Sequence, residues 1–105
     1  MRIINKTPHQ VVIYRNGSIV ATIEPTGTPV RCTQRTVVIG EIDGIPITKV
    51  TLGEVENLPE KEEGTILIVS RIVAESVDRD DLYIPGPAVR NEAGQIVGCQ
   101  GLSKI

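Results

Sequence analysis

The stretch Ile68-Val69-Ser70-Arg71 runs from an apolar strand pattern straight into a helix start, and it is the junction best suited to hold an anion. A helix N-terminus offers free backbone N–H groups and partial positive charge, so a hydroxyl and a guanidinium placed there can bind a phosphate or carboxylate. Arg79, Tyr83 and Arg90 lie in the same C-terminal third and would join Ser70 and Arg71 if the fold gathers them. The plainer alternative leaves Ser70 as a helix cap and Arg71 in solvent. Groups able to catalyse are fewer. His9, the single histidine, titrates near neutrality, and Asp80-Asp81 follows the predicted helix; these residues define a hydrolytic alternative. Against it, Thr7-Pro8 sets a turn before His9, and an aspartate run past a helix is more often a solvated end.

No metal or cofactor is expected. His9, Cys32 and Cys99 are separated by 23 and 67 residues, unlike the short paired spacings of structural zinc sites. Cys99, in Ile96-Val97-Gly98-Cys99, reads as a small strand hydrophobe rather than a nucleophile. The calcium-loop, P-loop and dinucleotide spacings are absent, and Gly98-Cys99-Gln100-Gly101 reads as a bend.

The elements that must position these groups are strands. Of 105 residues, 15 are Ile, 13 Val and 9 Thr, a β-branched excess that favours sheet. Gln10 to Arg15 and Ser18 to Glu24 flank Asn16-Gly17, and Arg35 to Ile42 and Ile45 to Leu52 flank Asp43-Gly44, both type I′ hairpin signatures. Glu24 to Pro29 is a crossover loop, with Val30 to Thr33 a short edge segment. Pro46 places its strand at a start or an edge. Leu58 to Gly64 is a solvated connection carrying four successive charges. Thr65 to Val69 lacks alternation and is predicted as the central strand, covered on both faces. Ser70 to Asp78 holds the one predicted helix, near residues 71–78. Leu82 to Ile84 is a short strand, and Ala88 to Arg90 pairs with Gln95 to Cys99 in a third hairpin.

Composition removes several function classes. A net charge of −2 argues against duplex nucleic acid as a partner, and the absence of Phe and Trp argues against aromatic stacking platforms. Tyr83 is the one stacking surface in the polar third. The longest apolar run is four residues, too short for a membrane span. Two cysteines in a chain able to build its own core are read as free thiols, and the cytoplasm is the expected location.

Asn5-x-Thr7-Pro8-His9, Gly53-Glu54-Val55-Glu56-Asn57-Leu58-Pro59 and Ser70-Arg71-x-Val73-Ala74-Glu75 form a recognisable set. With Arg79-Asp80-Asp81-Leu82-Tyr83-Ile84-Pro85-Gly86 and Gly98-Cys99-x-Gly101-Leu102, the chain resembles a family of small bacterial and phage proteins. The resemblance implies an intracellular, phage-linked setting and brings no activity, catalytic residue or cofactor with it.

The expectation is a single β-rich domain over residues 1–105, a small antiparallel barrel or half-open sandwich with one short helix. Leftover strand edges and exposed Ile and Val would be relieved by closure or by a homo-oligomer. The leading functional reading is non-enzymatic binding of a small anionic ligand, such as a nucleotide, at Ser70, Arg71, Arg79, Tyr83 and Arg90. Its alternatives are the hydrolase using His9 or Asp80 and Asp81, and a structural or protein-interaction module that uses its strand edges.

Overall fold

The computed structural model describes all 105 residues. Both predicted two-residue turns form. Asn16 and Gly17 take φ of 53° and 81°, and Asp43 and Gly44 take 50° and 79°, the paired left-handed geometry that matches the twist of the strands they join. They close β2 (Val11–Arg15) onto β3 (Ser18–Ile23) and β4 (Arg31–Ile42) onto β5 (Ile45–Glu56). The third hairpin, β8 (Ala88–Arg90) with β9 (Ile96–Cys99), also forms. Its loop is held by Asn91, whose Oδ1 accepts from the N–H groups of Ala93 and Gln95 at 3.0 Å each.

β6 (Thr65–Ile68) lies between β1 (Arg2–Asn5) and β7 (Leu82–Pro85), parallel to both, and β10 (Leu102–Ser103) adds antiparallel to β7. The second sheet runs β3-β2-β9-β8. The predicted central strand is therefore central, and its two faces are covered separately. Leu67 and Val69 pack with Val30, Val73 and Leu82, while Ile68 packs with Val11 and Cys99 of the second sheet. A strand buried on both sides has no polar face to alternate with, which is why the run is uniformly apolar.

The chain is mainly β and half-open, and no barrel closes. Pairing is mixed where antiparallel pairing is expected, because α1 (Arg71–Ser76) carries the chain from β6 over the sheet to β7 and a crossover of that kind returns parallel. α1 is shorter than the predicted 71–78: Val77 is already extended, at φ −127° and ψ 127°. Arg2–Asn5 and Leu102–Ser103 are strands with no turn-bounded pattern to announce them; neighbouring strands recruit them.

The bend read in Gly98-Cys99-Gln100-Gly101 falls at Gln100 and Gly101, where Gly101 takes a φ of 80°, and Gly98 precedes it. Gly98 sits within β9 facing Tyr14, and a Cβ there would lie 2.5 Å from Tyr14 Cε1 and 2.7 Å from the Val12 carbonyl oxygen. Gly98→Ala is expected to cost about 2 kcal/mol by overpacking. Urea denaturation checks it, and an unchanged midpoint would mean the two strands separate without cost.

The β4–β5 ribbon stands apart from the two sheets. Each strand is 12 residues long, pairs only with the other, and from Gln34 to Glu54 every residue except Ile47 is exposed. The radius of gyration is 16.8 Å, against about 13 Å for a compact chain of this length.

Candidate functional site

Ser70 is the helix cap. Its Oγ accepts from the Val73 N–H at 3.5 Å, which uses the hydroxyl in the first turn of a six-residue helix. Arg71 is exposed, and its Nε donates to Glu75 Oε1 at 2.9 Å one turn along the helix.

Arg79 is committed to the fold. Its Nε and Nη2 donate to Asp81 at 2.9 and 2.6 Å, and Nη1 donates to the Pro59 carbonyl at 2.8 Å, tying the 57–64 connection to the segment before β7. Asp81 is 5% exposed. The Arg79 hydrogen bonds hold its carboxyl below the ordinary aspartate value, against the opposing effect of burial. Asp80 instead faces solvent and pairs with Lys61, whose hydrogen bond and charge lower its pKa. The two adjacent carboxylates thus point into different environments, each with its own cation, and do not form an acid/base pair.

Lys104 joins this patch, donating from Nζ to the Asp80 carbonyl at 2.8 Å and lying 5.1 Å from the centre of the Tyr83 ring. The predicted stacking surface of Tyr83 is covered by that ammonium. Arg90 donates to the Gly94 carbonyl at 2.7 Å inside its own hairpin. The five residues of the anion reading are therefore not gathered into one site: Ser70 caps α1, and of the others only Arg79 and Tyr83 share a patch. Asp80, Asp81, Arg79 and Tyr83 come together around Lys61 and Lys104, and Arg71 and Arg90 are spent locally.

His9 is exposed, and its hydrogen bonds run through its backbone. The Asn5-x-Thr7-Pro8-His9 motif is organised by Asn5, which is fully buried: Nδ2 donates to the carbonyls of His9 and Ile23 at 2.8 and 2.9 Å, and Oδ1 accepts from Thr7 N–H at 2.9 Å. Since those carbonyls only accept and that N–H only donates, the orientation of the amide is fixed by its neighbours. What His9 contributes to this motif is its carbonyl, which accepts from Asn5 and Thr7. No three His, Cys, Asp or Glu side chains converge.

Two surfaces remain open. An open cleft of about 490 Å³ lies between the 28–32 segment, Asn57 and the start of α1, and it brings Ser70 beside Arg31, a guanidinium in no ion pair, with Glu56 on the same wall. Arg31 has no spacing relation to Ser70, so no sequence signal points to it.

The larger surface is the ribbon. Val38, Ile39, Ile42, Ile45 and Val50 are each 58–67% exposed. Cross-strand partners share a face of a ribbon and faces alternate along it. The pairs Gln34–Leu52, Thr36–Val50 and Val38–Thr48 therefore lie on one face, and Arg35–Thr51, Val37–Lys49 and Gly40–Ile47 on the other. The first face is free of charge from Gln34 to Thr48; the second carries two cations. Sequence reasoning sees a hairpin here, but not that both its faces are bare. The available signal is length, since 12-residue strands overreach a domain whose other strands have two to six residues.

These features define a mixed β half-open sandwich that projects a free, apolar two-stranded ribbon. In comparisons with family models, curated proteins and solved structures, nothing matches this chain.

Proposed function

We propose that the chain is a non-enzymatic protein-interaction module whose working surface is the β4–β5 ribbon. The observation that carries this reading is the exposure of Gln34 to Glu54 on both faces, apart from Ile47. Contiguous exposed apolar surface on a soluble chain marks an interaction site, and a two-stranded ribbon with two unpaired edges is marginal in water without further cover. The separate pairing of Arg71, Arg79 and Arg90 supports the interaction reading over an anion site built from those side chains. We place the module in the cytoplasm, where two free thiols stay reduced; no helix is long and apolar enough to cross a membrane.

A photo-crosslinking side chain placed at Val38 or Val50 is expected to give discrete protein adducts in cells, a second copy of this chain included, and the same group at exposed Glu92 none. Absence of adducts from the ribbon in a folded protein would remove the reading.

Small-anion binding is favoured at a second place by the unpaired Arg31 beside Ser70 in the 490 Å³ cleft, a volume in the range of ligand sites. A nucleoside monophosphate or inorganic phosphate would then raise the melting temperature of the wild-type protein and not of Arg31→Ala, because a ligand selective for the native state stabilises it. Arg71→Ala would leave the shift intact.

A further inference from the structure

Resting on the interaction reading, we infer that the uncharged ribbon face formed by Gln34, Thr36, Val38, Thr48, Val50 and Leu52 is the contact surface of a homodimer. It packs on the same face of a second copy about a two-fold axis, with the two ribbons antiparallel.

Surface area shows how much cover is missing. A folded monomer of 11.4 kDa exposes about 5,800 Å², whereas this chain exposes 7380 Å². The excess of about 1,600 Å² is about twice what each partner contributes to an interface of standard size. It sits where the fold has no second layer. Only 12 of 105 residues are buried, and none of them lies between Arg31 and Glu56.

Charge selects the face and the orientation. The centre of a stable interface is depleted of charge, and the Gln34 to Thr48 face has none. The opposite face carries Arg35 and Lys49, so stacking it on its own copy would bring like charges together. Towards the tip the uncharged face ends at Glu41, paired with Pro46. Parallel ribbons would bring two Glu41 carboxylates together; antiparallel ribbons place them at opposite ends, each near the amide of the partner's Gln34.

Stoichiometry selects the occupant. Bare apolar faces need cover whenever the chain is folded, and a partner present in equal amount whenever this chain is made is another copy of it. The face has no cation to recruit an acidic partner and no anion before Glu41 to recruit a basic one. Two ribbons stacked face to face give a four-stranded sandwich, the arrangement in which sheets bury one face each.

Val37 and Val38 are adjacent, 52% and 67% exposed, and on opposite faces, so they make a matched pair of probes. Light scattering coupled to size exclusion is expected to give twice the 11.4 kDa chain mass for the wild-type protein and for Val37→Lys. Val38→Lys and, independently, Val50→Lys should give the chain mass alone. Amide exchange at Leu67 and Val69, which donate to Asp81 and Tyr83 across the first sheet, should be unchanged in all four proteins and reports that the body is folded. A wild-type protein that runs at the chain mass at the highest attainable concentration overturns the homodimer. If Val38 then crosslinks to another protein, the interaction reading survives without it. Equal dissociation by Val37→Lys and Val38→Lys, or by neither, overturns the face assignment and with it the inference.

Discussion

Asn5→Ala is expected to lower the stability of the domain by about 4 kcal/mol, the largest effect of any single substitution considered for this protein. The amide serves three backbone groups from different parts of the chain: Thr7 N–H, and the carbonyls of His9 and Ile23. Removing it leaves all three short of a partner at a fully buried position, and each unsatisfied group costs about 1–3 kcal/mol. The Thr7 hydroxyl, whose one proton is shared between Asn5 Oδ1 at 2.7 Å and the His9 carbonyl at 2.9 Å, is then free to donate to the carbonyl, so the loss is less than three full penalties. The substitution also removes the Asn5 side-chain tie between the end of β1 and the end of β3, leaving the Asn5 carbonyl, which accepts from Thr26 N–H at 2.9 Å, and Lys6 Nζ, which donates to the Thr26 carbonyl at 3.0 Å. Asn5→Asp provides the contrast. Its carboxylate still accepts from Thr7 but sets a negative oxygen against two carbonyl oxygens, so it should be as destabilising at pH 7 and partly recover as the pH falls and the acid protonates. Urea denaturation of both variants checks the pair; a loss below about 1 kcal/mol for Asn5→Ala would show that water replaces the amide.

Arg79→Ala is expected to cost about 3 kcal/mol, because it strands the Asp81 carboxylate at a buried position and releases the Pro59 carbonyl. The low end of the range for breaking a buried pair applies, since the Arg79 side chain is 20% exposed. The same pair sets an acid limit. Asp81 has a lower pKa folded than unfolded, so the unfolded chain binds its proton first as the pH drops. The stabilisation is fully present above the unfolded value, about pH 4, and is lost as the pH falls through the folded value. In Asp81→Asn that part of the acid dependence should vanish, flattening the stability profile below about pH 5 while costing stability at neutrality. Parallel profiles for the wild-type protein and Asp81→Asn would show that the carboxylate titrates alike in both states.

The legible parts of the fold are those with local causes. Asn16-Gly17 and Asp43-Gly44 dictate their turns through the left-handed angles such residues tolerate, Asn91 closes its loop through its own side chain, and Ser70 caps α1. The apolar run Ile66 to Val69 implies cover on two sides, and receives it. Parallel pairing of β1, β6 and β7 is another matter. Between β1 and β6 it joins residues some 60 positions apart, such as Arg2 with Thr65, and nothing in the composition of Arg2–Asn5 distinguishes a strand recruited by β6 from a frayed end.

The candidate site divides along the same line. Arg71, Arg79, Tyr83 and Arg90 are the right residue types for an anion, but a guanidinium is available only if no acceptor in the fold claims it. Glu75 and Gly94 claim theirs from four residues away, and Pro59 reaches Arg79 from 20 residues away. The ribbon shows the converse. Its strands and turn are written locally, yet their exposure depends on whether any other segment packs on them.

From its residues alone this protein is determined to be β-rich, to turn at Asn-Gly and Asp-Gly, and to bury the 65–69 strand, because these depend on torsional preference and on the hydrophobicity of short runs. Tertiary structure decided that Asn5 is the buried hydrogen-bonding residue of its motif while the His9 side chain stands exposed, that Arg71, Arg79 and Arg90 pair within the fold, and that β4 and β5 stand uncovered from Gln34 to Glu54 apart from Ile47. Each of those outcomes depends on which distant group arrives within hydrogen-bond or van der Waals reach, a property of the assembled chain and of no local stretch.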